Sequence, residues 1–127
     1  MTSTRPSTFA RLALAASLLL ATTLSQALTV TPYTPAALAA AQKSGEPLVL
    51  HFHASWCPTC RAQDKAFDAL KADPSLKVTL MEVDYDTEKA LEKQMKVTAQ
   101  STLVVFHGGA ERSRSTGETD EIGRAHV

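Results

Sequence analysis

Apolar positions along the chain change their spacing several times, and each change marks an element. Leu12 to Leu20 (LALAASLLL) is a continuous Ala/Leu-rich stretch, and no acidic residue occurs before Glu46. Thr34 ahead of Pro35 reads as an N-cap with proline at the first helical position. Ala36 to Lys43 then supply strong helix formers that stop at Ser44-Gly45. Leu48 to His53 (LVLHFH) is a compact apolar run after Pro47, the pattern of a strand buried on at least one face. From about Thr59 to Ala72 apolar residues recur at Ala62, Ala66, Phe67, Ala69 and Leu70, an amphipathic helical spacing closed by Asp73-Pro74. Lys77 to Tyr85 reads as the next strand, with Val78, Leu80 and Met81 inward, and Thr87 to Met95 as a helix capped by Thr87. Thr102 to Phe106 is a third strand, and His107-Gly108-Gly109-Ala110 a hairpin turn into Arg112 to Thr116. The order helix, strand, helix, strand, helix, strand, strand, with no internal repeat, predicts an α/β fold whose central sheet is covered on both sides.

The first 27 residues stand apart from this alternation. Arg5 and Arg11 give a positive start, the apolar Leu12 to Leu20 follows, and Ser25-Gln26-Ala27 supplies the small-x-small pattern of an export cleavage site. Residues 1–27 therefore read as a cleaved secretory signal, which places the protein in the periplasm or otherwise outside the cytoplasm. A retained membrane anchor is the competing reading, and the apolar stretch falls short of the roughly 20 residues that span a bilayer. At 127 residues the chain holds one domain, assigned to residues 28–121. With 44% hydrophobic and 20% charged residues and a formal net charge of zero, it is a globular protein and not a nucleic-acid binder. Without Arg5 and Arg11 the 13 basic residues fall to 11 against 13 acidic ones, a net charge of −2 that points to no charged partner.

Chemistry sits where the buried strand hands over to a helix, at Trp56-Cys57-Pro58-Thr59-Cys60. A cysteine at a helix N-terminus meets free backbone N–H groups and the positive end of the macrodipole, both of which stabilise a thiolate. Thiol pKa in such settings falls from about 8.5 into a range of about 3.5 to 7.5. Cys57 is thus the nucleophile, and Cys60, one turn on, resolves a mixed disulfide by closing an intramolecular one. Trp56 shields one side of the pair, and Pro58 occupies the first helical position without needing an N–H. The pair could instead be half of a zinc site, but a structural site needs four ligands. No second Cys-x-x-Cys occurs, and His51 and His53 are read onto opposite faces of their strand. An inert disulfide is the other competing reading, and a bridge over two intervening residues constrains too little chain to matter for stability.

The segment LVLHFHASWCPTCRAQDKAF resembles the thioredoxin superfamily in its strand, its Trp-Cys-x-x-Cys and the aromatic Phe67 in the following helix. Val83-Asp84 and STLVVFHGG are similar to that family's third and fourth strands, so the likeness covers about Thr34 to Thr116. Trp-Cys-Pro-Thr-Cys-Arg-Ala also resembles the exported, membrane-tethered thioredoxins of cytochrome c maturation. The resemblance implies a thioredoxin-like fold, a central mixed sheet flanked by helices. It also implies an exported enzyme that reduces or exchanges protein disulfides, with no dissociable cofactor and no metal. Its partners would be protein disulfides and a membrane electron donor, with the chain a monomer. Three departures qualify the likeness. Where the family has a cis-proline before the position of Thr102, this chain has Ser101, and a cis bond before a non-proline costs about 2.5 to 4 kcal/mol. A trans Gln100-Ser101 peptide is expected, with a reshaped substrate edge and a minor opening for adventitious metal at the cysteines. His51 replaces the family's buried acid, with Leu80 in place of that acid's lysine partner; His51 is a candidate proton acceptor for Cys60, or else a satisfied core histidine. Finally, too few residues follow Gly117 for the family's C-terminal helix, which would leave one face of the sheet uncovered.

His107 reads as a solvated turn residue, Met81 and Met95 as core, and Glu82, Asp84, Asp86 and Glu88 as a solvated strand end lacking the order of a calcium loop. Pro58-Thr59 does not fix the direction of electron flow, though similarity to small thioredoxins favours reduction or exchange over net oxidation. A thioredoxin-fold binding or chaperone-like module without turnover is the alternative from another functional class. The last six residues, Ile122 to Val127 (IGRAHV), match one frame of a common sequencing-library adapter, ATC GGA AGA GCA CAC GTC, with the preceding AG supplied by a GAG codon for Glu121. They are expected to be read-through and not native sequence. Resequencing the locus tests this: the genome should depart from these codons after Glu121, and the same six codons in genomic DNA would contradict it.

Overall fold

The computed structural model describes residues 28–120. The export segment assigned to residues 1–27 and the Ile122 to Val127 tail lie outside them. The element order is β1 Leu28–Pro32, α1 Pro35–Ser44, β2 Pro47–His53, α2 Pro58–Leu70, β3 Val78–Asp84, α3 Lys89–Met95, β4 Thr102–His107 and β5 Ala110–Thr116. The strands form one mixed sheet in the order β1-β3-β2-β4-β5. β3 runs parallel to both β1 and β2, while β4 is antiparallel to β2 and β5. Among the described residues, no helix follows β5.

Local signals set α1. Thr34 in extended conformation accepts a hydrogen bond from Ala37 N–H at 3.0 Å, Pro35 starts the helix, and Gly45 ends it at φ 73°, a left-handed conformation that glycine adopts without a Cβ clash. β2 is buried on both faces and sorts its side chains alternately. Leu48, Leu50 and Phe52 join Leu38 of α1 and Leu91 of α3 on one side. Val49 joins Leu80, Leu103, Val105 and Phe67 of α2 on the other. The central position of β2, between β3 and β4, holds its C-terminal end rigidly against α2.

Four expectations are corrected. β1 was not anticipated: it is an edge strand whose pairing runs from Leu28↔Val78 to Pro32↔Glu82, about 50 residues away along the chain. α3 starts at Lys89 with Glu88 at the cap position and no side-chain cap, so Thr87 does not cap it. α2 buries Cys60, Gln63 and Phe67, while Ala62 and Ala69 are exposed. His51 and His53 share a face, as residues two apart on a strand must, and their rings meet edge-on with centroids 5.2 Å apart.

Candidate active site

β2 ends at His53, and the chain turns through Ala54, Ser55 and Trp56 into α2. The turn is fixed by Cys57 N–H donating to Ala54 O at 3.1 Å and by Arg61 Nη1 donating to Ser55 O at 3.1 Å. Cys57 is the N-cap of α2 and Pro58 its first residue. The Cys57 sulfur accepts the backbone N–H of Cys60 at 3.1 Å, so the first turn of the helix points a donor at the expected nucleophile. Both cysteines are buried beside Ala54, with Tyr85 packed against them. Burial, followed by the hydrogen bond with Cys57, pushes the Cys60 thiol up to about 11, while backbone hydrogen bonds from Ala54 and Ser101 pull it the other way. Cys60 therefore holds its proton at neutral pH, the state required of a resolving thiol waiting for a mixed disulfide.

Trp56 is 54% exposed, and its indole N–H donates to both Asp86 carboxylate oxygens, at 3.2 and 2.9 Å. The Asp86 N–H in turn donates to Asp84 Oδ1 at 2.8 Å. The anchoring of Trp56 by Asp86 was missed in the sequence, because nothing local links residues thirty apart. Thr59 is half-buried in the first turn of α2.

Facing the cysteines, Ser101 adopts φ 58°, and no peptide bond among the described residues is cis, Gln100-Ser101 included. A left-handed serine costs on the order of 1 kcal/mol or more, and three hydrogen bonds hold it there. Its N–H donates to Phe52 O at 2.8 Å, and its carbonyl accepts from Gly117 N–H at 3.0 Å and from Gln63 Nε2 at 3.0 Å. Thr102 starts β4 with its hydroxyl donating to Ala99 O at 2.7 Å.

Beneath lies His51, fully buried against Phe67. Its Nε2 is 2.9 Å from Gln63 Oε1. The Gln63 amide nitrogen donates to two carbonyls, Ser101 O and Glu118 O at 2.9 Å. Only the NH₂ end can serve two carbonyls, so Oε1 faces the ring and His51 carries its proton on Nε2. Nδ1 is then a bare lone pair without a hydrogen-bond partner, 3.9 Å from Asp64 Oδ1, whose other oxygen pairs with His53 Nε2 at 3.0 Å. Gln63 and Asp64 were not singled out in the sequence; the signal available was Gln63 lying three residues after Cys60 and four before Phe67, on the face α2 buries. Among the described residues, no three His, Cys, Asp or Glu side chains are placed to hold a metal ion.

A Cys-x-x-Cys whose first sulfur caps a helix at the end of a central strand, in a mixed sheet with helices on both faces, defines a dithiol redox protein. The thioredoxin family profile matches residues 30–124. A thioredoxin from Echinococcus granulosus is 34% identical over 84 residues, 66% of this chain and 78% of that one. An H-type thioredoxin from Chlamydomonas reinhardtii is 29% identical over 92 residues, 72% of this chain and 81% of that one. The crystal structure of Trxlp from Edwardsiella tarda superposes with a TM-score of 0.68 at 40% identity, covering 72% of this chain and 89% of that one. The chain belongs to the thioredoxin family and is a thiol-disulfide oxidoreductase.

Burial above all holds His51 down to about 4, outweighing the Gln63 hydrogen bond and the Asp64 carboxylate, which favour the charged ring. The unfolded chain therefore binds a proton below about pH 6.5 that the folded chain refuses. Stability is full above that pH and falls as pH drops toward 4, by up to about 3 kcal/mol. Denaturant unfolding between pH 7 and 4 should show this loss, reduced in His51→Leu. By nuclear magnetic resonance the His51 ring should stay neutral to about pH 4, and a midpoint near 6.5 would contradict its desolvation.

Proposed function

We propose that this chain is an exported thiol-disulfide oxidoreductase that reduces or exchanges disulfides of folded or folding proteins. The observation that carries the redox part is the Cys57 sulfur capping α2, with the protonated Cys60 one turn behind it. Cys57 thiolate attacks one sulfur of a substrate disulfide, forming a mixed disulfide and releasing one substrate thiolate. Cys60 then loses its proton and attacks the Cys57 sulfur, releasing the second thiolate and closing Cys57-Cys60. Two electrons pass from the pair to the substrate. His51 Nε2 reaches the α2 turn after Cys60 through Gln63, and with its ring held neutral down to about pH 4 the Cys60 proton passes to solvent.

Export is supported by Arg5, Arg11, the Leu12 to Leu20 stretch and Ser25-Gln26-Ala27. In an oxidising compartment a reductase must be recharged, so a membrane protein delivering electrons is the partner the reading requires, and the chain works as a monomer. The exposed Trp56 face beside the pair is where a polypeptide substrate would meet it.

Insulin reduction driven by dithiothreitol tests the reading. The wild type should accelerate it, with Cys57→Ser inactive and Cys60→Ala stalled as a mixed disulfide after one attack. A wild type no faster than either variant would favour a binding module without turnover.

A further inference from the structure

Two departures of this chain from its family, the histidine at 51 and the serine at 101, come from distant parts of the sequence, yet a single side chain joins them. Gln63 is fully buried. Its Oε1 accepts from His51 and its Nε2 donates to Ser101 O and Glu118 O. Both N–H groups of the amide and its oxygen are engaged, and the direction of each bond is fixed by the two carbonyls. The clamped Ser101 is the strained residue of the site, and its own N–H donates to Phe52 O, the carbonyl that Cys60 Sγ approaches to 4.0 Å. Ser101 thus stands between Gln63 and the resolving cysteine.

We propose that Gln63 is a positioning residue for the resolving step: its amide holds the left-handed Ser101 turn against Cys60, and so sets how readily Cys60 becomes the thiolate that attacks the mixed disulfide. The Ser101 N–H lies on Phe52 O, beside the Cys60 sulfur, and its nearness favours the Cys60 thiolate. Losing the clamp lets Ser101 drift toward a relaxed φ, and the N–H that it gives to Phe52 O, beside the Cys60 sulfur, moves with it. Cys57 takes its donor from Cys60 N–H instead, within α2, and does not depend on Gln63. The inference rests on the redox reading of the pair and adds a division of labour to it: Gln63 acts on the second thiol and not on the first.

An aryl disulfide, dithiobis(nitrobenzoate), separates the two steps, because each releases one coloured aryl thiolate. Attack by Cys57 releases the first and leaves an aryl mixed disulfide on Cys57. Attack by Cys60 on the Cys57 sulfur releases the second and closes the protein disulfide, the Cys60 proton ending in solvent. Gln63→Met removes both ends of the amide at similar volume. Gln63→Glu keeps an oxygen for His51 and loses the donor to Ser101 O. In both variants the first release should stay within about twofold of wild type. The second should slow by about tenfold at neutral pH, with the midpoint of its pH profile raised by about one unit. A second release with unchanged rate and pH profile in both variants overturns the proposal, as does equal slowing of both steps, which is the mark of a purely structural role. A wild type that releases no aryl thiolate overturns the redox reading and this inference with it.

Discussion

An α-helix begins with N–H groups that its own turns cannot satisfy, and in this protein the first turn of α2 satisfies one of them with sulfur. The 3.1 Å contact from Cys60 N–H to Cys57 Sγ is at once a cap, a charge stabiliser and the device that sets the two cysteines one turn apart. It works because β2 delivers Cys57 to that point. With β3 parallel on one side and β4 antiparallel on the other, β2 has no freedom to slip, and Pro58 starts the helix immediately after the sulfur. Function and fold share the contact: a change that frays the start of α2 also removes the donor from the nucleophile.

Under α2 the core is not uniformly apolar. Val49, Leu80, Leu103, Val105 and Phe67 surround a polar line of His51, Gln63 and the Ser101 peptide. A buried polar group left unpaired costs about 1 to 3 kcal/mol, and this line is paired at every point but one, the Nδ1 of His51. Gln63 determines which ring nitrogen is left bare. Where the resemblance places the family's buried acid, a ring kept neutral by burial stands, and a serine in a left-handed turn stands for the proline. The two changes are coupled in space through one amide.

Much of this was legible in the sequence where the signals are local. Thr34, Pro35 and Gly45 bound α1 because capping chemistry acts over three or four residues, and Trp56-Cys57-Pro58-Thr59-Cys60 showed its chemistry by spacing alone. β1 was not legible, since Leu28 and Val30 acquire their meaning only by pairing with Val78 and Leu80. The bond from Trp56 to Asp86 likewise depends on tertiary placement. Gln63 was hidden for a different reason: a polar residue on an amphipathic helix reads as solvent-facing by default, and the periodicity drawn through the alanines set the buried face slightly off the one that Cys60, Gln63 and Phe67 define. The placing of His51 and His53 on opposite faces was a misreading of the strand's period of two, and their shared face is what brings Asp64 and His53 beside the buried ring.

The proposed function assigns Cys57 and Cys60 to reduction or exchange rather than net oxidation. Equilibrating the protein with graded glutathione mixtures and quantifying the Cys57-Cys60 disulfide measures this directly. The account predicts one two-electron transition near the potential of reducing dithiol proteins, about −270 mV. A potential near that of strong disulfide donors, about −120 mV, or no two-electron transition at all, would contradict it.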